Sequence, residues 1–197
     1  MASKPKPIPP RSGLLAYVVG LALGDGNLSA NGRATRLRVT CDAKYPELAA
    51  RIHRALVELF PFNKVSIIPK TDRCFDISCH SQHWESLVGW RVGKGSKIDQ
   101  QVSVPDWVKS KPEYVIACLK GLLETDGSIY SDRGYPMVMF ASAIPLLAEN
   151  VAELMSSLGF SPHIYLITHG RAWLPIYRVR LSKRVQEFLS IVKPLKA

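Results

Sequence analysis

The chain has 197 residues, a length that allows one domain or two small ones around a real hydrophobic core. Its 26 lysines and arginines outnumber its 16 aspartates and glutamates, and the net charge of +10 favours a polyanionic partner, with a generically basic soluble protein as the simpler alternative. The four cysteines have no CxxC spacing, which argues against a zinc site and a disulfide framework and predicts a reducing intracellular compartment. The apolar runs are too short to cross a bilayer, so we expect no membrane partner.

Helical and strand patterns follow one another along the chain in an order that occurs twice. Residues 1–12 predict a flexible basic tail without a secretory signal, because they are rich in proline and lysine. In the first copy the predicted elements are a helix over 14–26, strands over 27–32 and 33–41, a helix over 44–60, strands over 64–70 and 73–80, and a helix over 81–90. After a polar linker the same order recurs as a helix over 115–127, strands over 128–133 and 136–142, a helix over 144–159, strands over 163–169 and 173–181, and a helix over 182–192. We therefore divide the chain into the tail (1–12), a first half (13–90), the linker (91–112) and a second half (113–197).

The first helix of each half carries the same unusual features. Three pairs of residues share one offset of 101 positions, which indicates a duplicated unit: Asp25 and Asp126, Gly20 and Gly121, Gly26 and Gly127. Small residues recur at every fourth position and predict close packing of the two helices. Each helix ends in an aspartate, where the negative end of the helix dipole disfavours a carboxylate. If the two ends meet, bound divalent cations would offset the repulsion, and oxygen-only ligands suit Mg²⁺.

The segments VVGLALGDG (18–26) and LKGLLETDG (119–127) resemble the two copies of the motif that gives the LAGLIDADG homing endonucleases their name. The resemblance is to the single-chain, two-motif type, which acts as a monomer, and it covers nearly the whole chain. It implies an α+β fold with pseudo-twofold symmetry, in which each half is α-β-β-α-β-β-α. Two antiparallel four-stranded sheets then form a saddle that flanks the paired motif helices.

In this family the concave sheets lie in the DNA major groove, so the resemblance implies a double-stranded DNA partner. Strand alternation places polar side chains on one face of each sheet. Counted along the strands, the residues expected to face DNA are Ser29, Asn31, Arg33, Arg36, Arg38, Ser66, Lys70, Arg73, Asp76 and Ser78 in the first half and Tyr130, Asp132, Arg133, Tyr165, His169, Arg171, Arg178 and Arg180 in the second. Residues 1–100 carry 15 basic and 8 acidic residues and residues 101–197 carry 11 and 8, which predicts an asymmetric target.

The resemblance also assigns the catalytic chemistry. It maps the metal-binding acids onto Asp25 and Asp126, assisted by the backbone carbonyls of Gly24 and Thr125 and holding roughly two or three Mg²⁺ ions that activate water for phosphodiester hydrolysis. Glu124 falls at a position that does not bind metal in the family.

A lysine commonly follows the last helix of each half, and Lys97 (or Lys94) and Lys193 occupy that place as catalytic candidates, with solvated surface lysines as the alternative. The usual water-organising polar residue is replaced by Cys41-Asp42 in one half and Ala141-Ser142 in the other. We interpret His80 and His83 as surface or helix-capping residues rather than metal ligands.

The leading hypothesis is a Mg²⁺-dependent, site-specific double-strand DNA endonuclease that needs no protein partner. It is expected inside the cell, in the cytoplasm or an organelle with access to DNA. Protein-splicing blocks do not flank the segment, which favours an intron-encoded enzyme. The alternative is a LAGLIDADG-fold binding protein that has lost cleavage and acts as an RNA splicing maturase or a transcription regulator. A structural DNA-binding protein of another family would leave the two Asp-Gly helix ends unexplained.

Overall fold

The two helices that end in the repeated acids lie at the centre of the molecule. The computed structural model describes residues 6–168 and 174–195. The first motif helix, α1 (Gly13–Leu23), begins after Ser12, whose Oγ accepts a hydrogen bond from the backbone N–H of Leu15 at 3.1 Å. Residues 15–23 are all buried, as expected of an apolar helix packed on all sides.

The second motif helix, α5 (Pro112–Asp126), crosses α1 at two glycines. A methyl group added to Gly20 would collide with the carbonyl oxygen of Cys118, and one added to Gly121 would collide with that of Tyr17. The backbones of α1 and α5 are therefore in contact, and the two helices pack as closely as the sequence predicts. Any larger residue at either glycine would force the helices apart.

The remaining elements follow the predicted order. After α1 come β1 (Gly26–Asn31), β2 (Ala34–Asp42), α2 (Pro46–Leu59), β3 (Val65–Pro69), β4 (Cys74–Ser81) and α3 (Trp84–Val88); after the short α4 (Asp106–Lys109) and α5 come β5 (Gly127–Asp132), β6 (Tyr135–Ser142), α6 (Pro145–Ser157), β7 (His163–Ile167), β8 (Ile176–Leu181) and α7 (Val185–Val192). The Asn-Gly pair predicts that the first hairpin turns near Asn31-Gly32; the turn is at Gly32-Arg33, one residue later, because β1 continues through Asn31. Residues 169–173, at the predicted end of β7 and start of β8, lie outside the described ranges.

The strands form two antiparallel sheets with the orders β1-β2-β4-β3 and β5-β6-β8-β7. One face of each sheet is buried against helices and carries the core side chains, such as Leu37 and Ile77 in the first sheet and Phe140 and Val179 in the second. The other face is mainly polar. The predicted α+β fold with two four-stranded sheets around paired helices is thus confirmed.

The repeat is not uniform along the chain. Leu37 pairs with Cys79 in the first sheet, and the corresponding Val138 pairs with Leu181 in the second. Val138 lies 101 residues after Leu37, whereas Leu181 lies 102 residues after Cys79. A strict offset of 101 would turn the side chains of β8 to the wrong face of the sheet, because neighbouring residues in a strand point to opposite sides.

The linker between the halves packs against both of them. Val102, Val104 and Val108 are buried, and the backbone N–H of Val104 donates to Asn150 Oδ1 on α6 at 2.8 Å. The linker therefore belongs to the folded core rather than forming a free tether. None of the described helices is long and apolar enough to cross a membrane.

Candidate functional site

The two repeated acids lie where the motif helices end. Asp25 is exposed in the turn after α1, and Asp126 is half-buried as the last residue of α5. A methyl group added to Gly24 would lie 2.7 Å from Asp126 Oδ2 and would collide with Thr125 Oγ1. The carboxylate of the second half thus lies directly against the end of the first helix, and a larger residue at position 24 would require the side chains of Thr125 and Asp126 to shift.

Lys97, from the linker, binds the end of α1. Its Nζ donates to the carbonyl oxygens of Leu23 at 2.8 Å, Ala22 at 3.3 Å and Gly24. Burial lowers the pKa of Lys97, and the charges of Asp126 and Asp25 oppose that shift. Both carboxylates therefore act on one ammonium group, which also satisfies carbonyls that the helix end leaves unpaired.

The second lysine occupies a different place. Lys193 is an exposed residue that ends α7, with its backbone N–H donating to the Leu189 carbonyl at 2.9 Å. Its charge helps to lower the pKa of Lys120, which lies six residues before Asp126 on α5. The structure therefore brings Lys97 onto the end of α1, and among the described residues the Lys193 side chain has no corresponding hydrogen bond.

Glu124 is a buried carboxylate, 1% exposed, within a polar network. Its oxygens accept hydrogen bonds from Tyr17 Oη at 2.6 Å, from Arg51 at 3.0 Å and from the backbone N–H of Leu195 at 2.8 Å. Burial and the charge of Glu124 raise the pKa of Tyr17 well above its ordinary value. These partners give the carboxylate a structural role. Sequence reasoning missed Tyr17 and Arg51 because they lie 107 and 73 residues from it.

The donors at the helix ends fit a hard divalent cation. Asp25 and Asp126 supply carboxylate oxygens, and the carbonyls of Gly24 and Thr125 lie in the same two turns. Such an oxygen-only set suits Mg²⁺ better than a soft metal. Within residues 6–168 and 174–195, no group of three or more histidine, cysteine, aspartate or glutamate residues is arranged to hold a metal. The Gly24 carbonyl already accepts from Lys97, so the ammonium group and a metal would compete for this oxygen.

A small cavity of about 100 Å³ opens beside Asp25. Thr40 and Asp42 line it together with Asp25 and Thr125, so residues of both halves meet there. Thr40 Oγ1 donates to Asp76 Oδ1 at 2.7 Å. Asp42, one of the two residues at the place of the usual water-organising group, thus lies beside Asp25. The adjacent Cys41 is buried and also lines this cavity.

In the first sheet the register puts the predicted polar strand residues on one face. They are Ser29, Asn31, Arg36, Arg38, Ser66, Asp76 and Ser78, with Asn27 and His80 as additional members. Arg38 lies 3.8 Å from Asp76, and Arg36 Nε donates to Ser29 Oγ at 3.3 Å. His80 Nδ1 lies 2.8 Å from Asn31 Nδ2, so this histidine belongs to the polar face rather than to a helix cap. The turns next to this face carry Arg33, Lys70 and Arg73.

The polar face of the second sheet has a different composition. The predicted residues that share it are Tyr130, Asp132, Tyr165, Arg178 and Arg180, with Arg133 in the β5–β6 turn. Met137 and Met139 lie on the same face, and the guanidinium of Arg180 lies 5.9 Å from the centre of the Tyr165 ring. His169 and Arg171 lie outside the described residues. Among the described side chains, Arg38 Nε and Arg180 Nε are buried donors without a hydrogen-bond partner.

Comparison with known proteins agrees with this geometry. The family described as the LAGLIDADG-like domain matches residues 113–193. A segment of the tRNA-splicing ligase RtcB of Methanopyrus kandleri is 25% identical over 204 residues, which cover 93% of the chain and 20% of the ligase. A segment of a DNA polymerase from Thermococcus sp. strain GE8 is 26% identical over 160 residues, which cover 80% of the chain and 9% of the polymerase. The chain thus spans a fifth or less of the length of these relatives.

Solved structures match over nearly the whole chain. The homing endonuclease I-DmoI is 20% identical, with a TM-score of 0.65 over 94% of this chain and 98% of the other. Structures of I-DmoI with DNA and Mn and with DNA and Ca also match. The N-terminal LAGLIDADG domain of DUF199/WhiA is 14% identical, with a TM-score of 0.59 over 94% of this chain and 85% of that domain. The second half of the chain thus matches the LAGLIDADG-like domain, and the whole chain has the two-sheet, paired-helix fold of I-DmoI.

Proposed function

We propose that the protein is a site-specific double-strand DNA endonuclease in which Asp25 and Asp126 hold Mg²⁺ between two DNA-facing sheets. The observation that carries the proposal is that both acids lie at the packed ends of the motif helices, with Asp126 Oδ2 against Gly24 and both carboxylates acting on Lys97. Two carboxylates beside two C-terminal helix dipoles repel each other, and Lys97 supplies one positive charge against the two. A divalent ion would offset that repulsion.

In the proposed hydrolysis, different residues of the chain would bind the metal and neutralise charge at the phosphate. Asp25 and Asp126 would each hold a cation next to one DNA strand, with the carbonyls of Gly24 and Thr125 as further ligands. Bound Mg²⁺ supplies Lewis-acid activation of water and stabilises the leaving 3′ oxygen. Lys97, whose Nζ now donates to the Gly24 carbonyl, would compete with a cation for that oxygen, and once displaced its ammonium group would neutralise charge at the phosphate.

The sheets support DNA as the partner. The unpartnered buried donors, Arg38 Nε and Arg180 Nε, belong to the polar face of one sheet each. Buried N–H groups without acceptors are unfavourable, and a nucleic acid offers phosphate oxygens and guanine acceptors to arginine. We propose that one protein molecule contacts both DNA half-sites, inside the cell and without a protein partner.

The relatives support a self-contained module that also occurs as a segment of longer polypeptides; that an intron encodes it here stays a proposal based on the sequence alone. Two enzymes with different activities, a ligase and a polymerase, contain the matching segment as 20% and 9% of their length. Because the shared part is small and the two activities differ, neither ligation nor polymerisation is proposed for this chain. Its proposed activity belongs to the shared segment itself.

The alternative is a nucleic-acid-binding protein that does not cleave, such as a splicing maturase or a transcription regulator. The contact of Lys97 with the Gly24 carbonyl favours it, because an ammonium group that stays there would exclude the metal. The LAGLIDADG domain of DUF199/WhiA shares the fold as well.

Cleavage of a plasmid library with a randomised insert tests the proposal. We expect linear product with Mg²⁺, and binding without cleavage with Ca²⁺ or chelator. Asp25→Asn and Asp126→Asn should each abolish linear product or reduce it to nicking, whereas Asp106→Asn, which removes an exposed acid on α4, should cleave normally. Selective DNA binding by all four proteins without cleavage under any condition would establish the non-cleaving alternative.

A further inference from the structure

A second cavity lies between α1, α2 and α5, away from the paired acids. Its volume is about 340 Å³, within the range of small-molecule sites. Leu14, Tyr17 and Ala55 form its apolar side, and Arg51, Arg54 and Lys120 bring three cations to it. Leu14 precedes Asp25 by eleven residues, which corresponds to about 16 Å along a helix. The cavity is therefore separate from the candidate nuclease site.

The cations around this cavity are incompletely neutralised. Arg51 is paired with the buried Glu124 at 3.0 Å. In the part of the chain that the structure describes, the side chains of Arg54 and Lys120, on α2 and α5, have no hydrogen-bond or ion-pair partner. Burial and the neighbouring charges of Arg51 and Lys193 lower the pKa of Lys120, with Glu124 opposing the shift. The cavity thus has positive charge directed into a partly desolvated space.

The internal repeat shows that the fold does not need this charge. Lys120 lies 101 residues after Val19, and Val19 is fully buried at the corresponding position of α1. At the same helix position in the first half, an aliphatic side chain therefore packs in the core. The lysine instead adds a desolvation cost and repulsion between cations, both of which a bound anion would offset.

We propose that the cavity binds a nucleoside 5′-phosphate, either free or at the end of a nucleic-acid strand. The phosphate lies between Arg54 and Lys120, where a guanidinium and an ammonium group donate charge-assisted hydrogen bonds. Leu14, Tyr17 and Ala55 provide an apolar wall for the base. Glu58, one turn beyond Arg54 on α2, also lines the cavity and supplies an acceptor for a ribose hydroxyl or a base N–H.

Isothermal titration of the full chain with AMP tests the proposal, alongside short RNA strands with a 5′-phosphate or a 5′-hydroxyl. Lys120→Val installs the residue that the first half already uses, so the fold should tolerate it. Loss of this lysine should weaken AMP binding about tenfold or more, since a charged hydrogen bond is lost. Lys183→Ala removes an exposed lysine that does not line the cavity and should bind AMP as the unmodified chain does.

Saturable AMP binding that Lys120→Val weakens and Lys183→Ala preserves supports the site. Tighter binding of the 5′-phosphorylated strand than of AMP would assign the site to strand ends, and the reverse would assign it to free nucleotides. Three results would overturn the proposal: no saturable binding of either phosphorylated probe, unchanged affinity in Lys120→Val, or equal affinity for the 5′-phosphorylated and 5′-hydroxyl strands with no binding of AMP. None of these results depends on DNA cleavage.

Discussion

The two motif helices have similar sequences but are held by different interactions at their ends. The first helix ends at Leu23, and its last carbonyls accept hydrogen bonds from Lys97. The second continues through Asp126 and is anchored by the buried Glu124. Glu124 corresponds to Leu23 in the repeat, so an aliphatic contact in one half is replaced by a polar network in the other. Duplication has preserved the acids and the helix crossing, but each acid has its own supporting structure.

The two sheets differ in a related way. On the polar face of the first sheet, β2 carries Arg36 and Arg38, whereas the corresponding positions of β6 carry Met137 and Met139. The arginines of the second sheet lie on β8 instead. The two halves therefore present cations on different parts of their surfaces, which agrees with the asymmetric DNA target proposed above.

Replacing Glu124 should give the largest effect on stability. Glu124→Leu makes the second helix end resemble the first, but it leaves Tyr17 Oη and Arg51 without their acceptor. Breaking a buried ion pair by removing one partner typically destabilises a protein by about 3 kcal/mol or more. Urea unfolding should show this loss in the free energy of unfolding.

A double variant controls for this interpretation. Arg51→Met combined with Glu124→Leu removes both charges and should recover part of the stability, because neither partner then stays unpaired. A free energy of unfolding for Glu124→Leu within about 0.5 kcal/mol of the unmodified chain, as for ordinary surface changes, would contradict the structural role of this network.

Lys97→Met should have a smaller effect on stability and a distinctive response to metal. Loss of the ammonium group from the end of α1 should cost about 1–2 kcal/mol, because three carbonyls lose a charged donor. The variant frees the Gly24 carbonyl, so Ca²⁺ should raise its melting temperature more than that of the unmodified chain. Thermal unfolding with Ca²⁺ and with chelator measures both effects.

Lys193→Met is the matched control from the second half. Since Lys193 is an exposed residue at the end of α7, its loss should change the melting temperature little with or without Ca²⁺. Equal responses of the two lysine variants would show that the ends of the motif helices are supported alike and would remove the asymmetry inferred above.

Much of the fold follows from the sequence because its signals are local. Strand alternation predicts which residues share a face, and the Asp-Gly ends of the two motifs predict that the acids meet. The contacts of Lys97 with α1 and of Arg51 with Glu124 join residues more than 70 positions apart, and no periodicity encodes such a pairing. The one-residue change of offset in β8 escaped prediction for a similar reason, since register depends on pairing with β6 as well as on the strand's own pattern.

Exchanging a cation between the two sheets should alter DNA binding by a moderate amount. Arg38→Met gives the first sheet the residue that the second has at position 139. It should weaken DNA binding about tenfold, and the slope of log K against log salt concentration should become less steep by about one. Met139→Arg should do the reverse. Fluorescence anisotropy with duplex DNA at several salt concentrations measures both. If neither variant changes affinity, the polar faces of the sheets are not the DNA interface.

The smallest expected effect is a pH dependence confined to the first half. Burial lowers the pKa of His80 from its ordinary 6.5, and the charges of Arg36 and Lys64 lower it further. A neutral Nδ1 accepts from Asn31 Nδ2 at 2.8 Å, and protonation at Nδ1 would remove that acceptor. Because the unfolded chain binds this proton more readily, stability should fall as the pH drops below 6.5 towards the folded pKa, and His80→Asn should lessen the loss.

The second half provides the control. The offset of 102 between β4 and β8 makes Ser182 the counterpart of His80, and serine does not titrate in this range, so the backbone amides of the second half should show no matching change. An NMR titration of the imidazole, repeated in Lys64→Ala, measures the shift; a His80 pKa at or above 6.5, or one unmoved by Lys64→Ala, would contradict it.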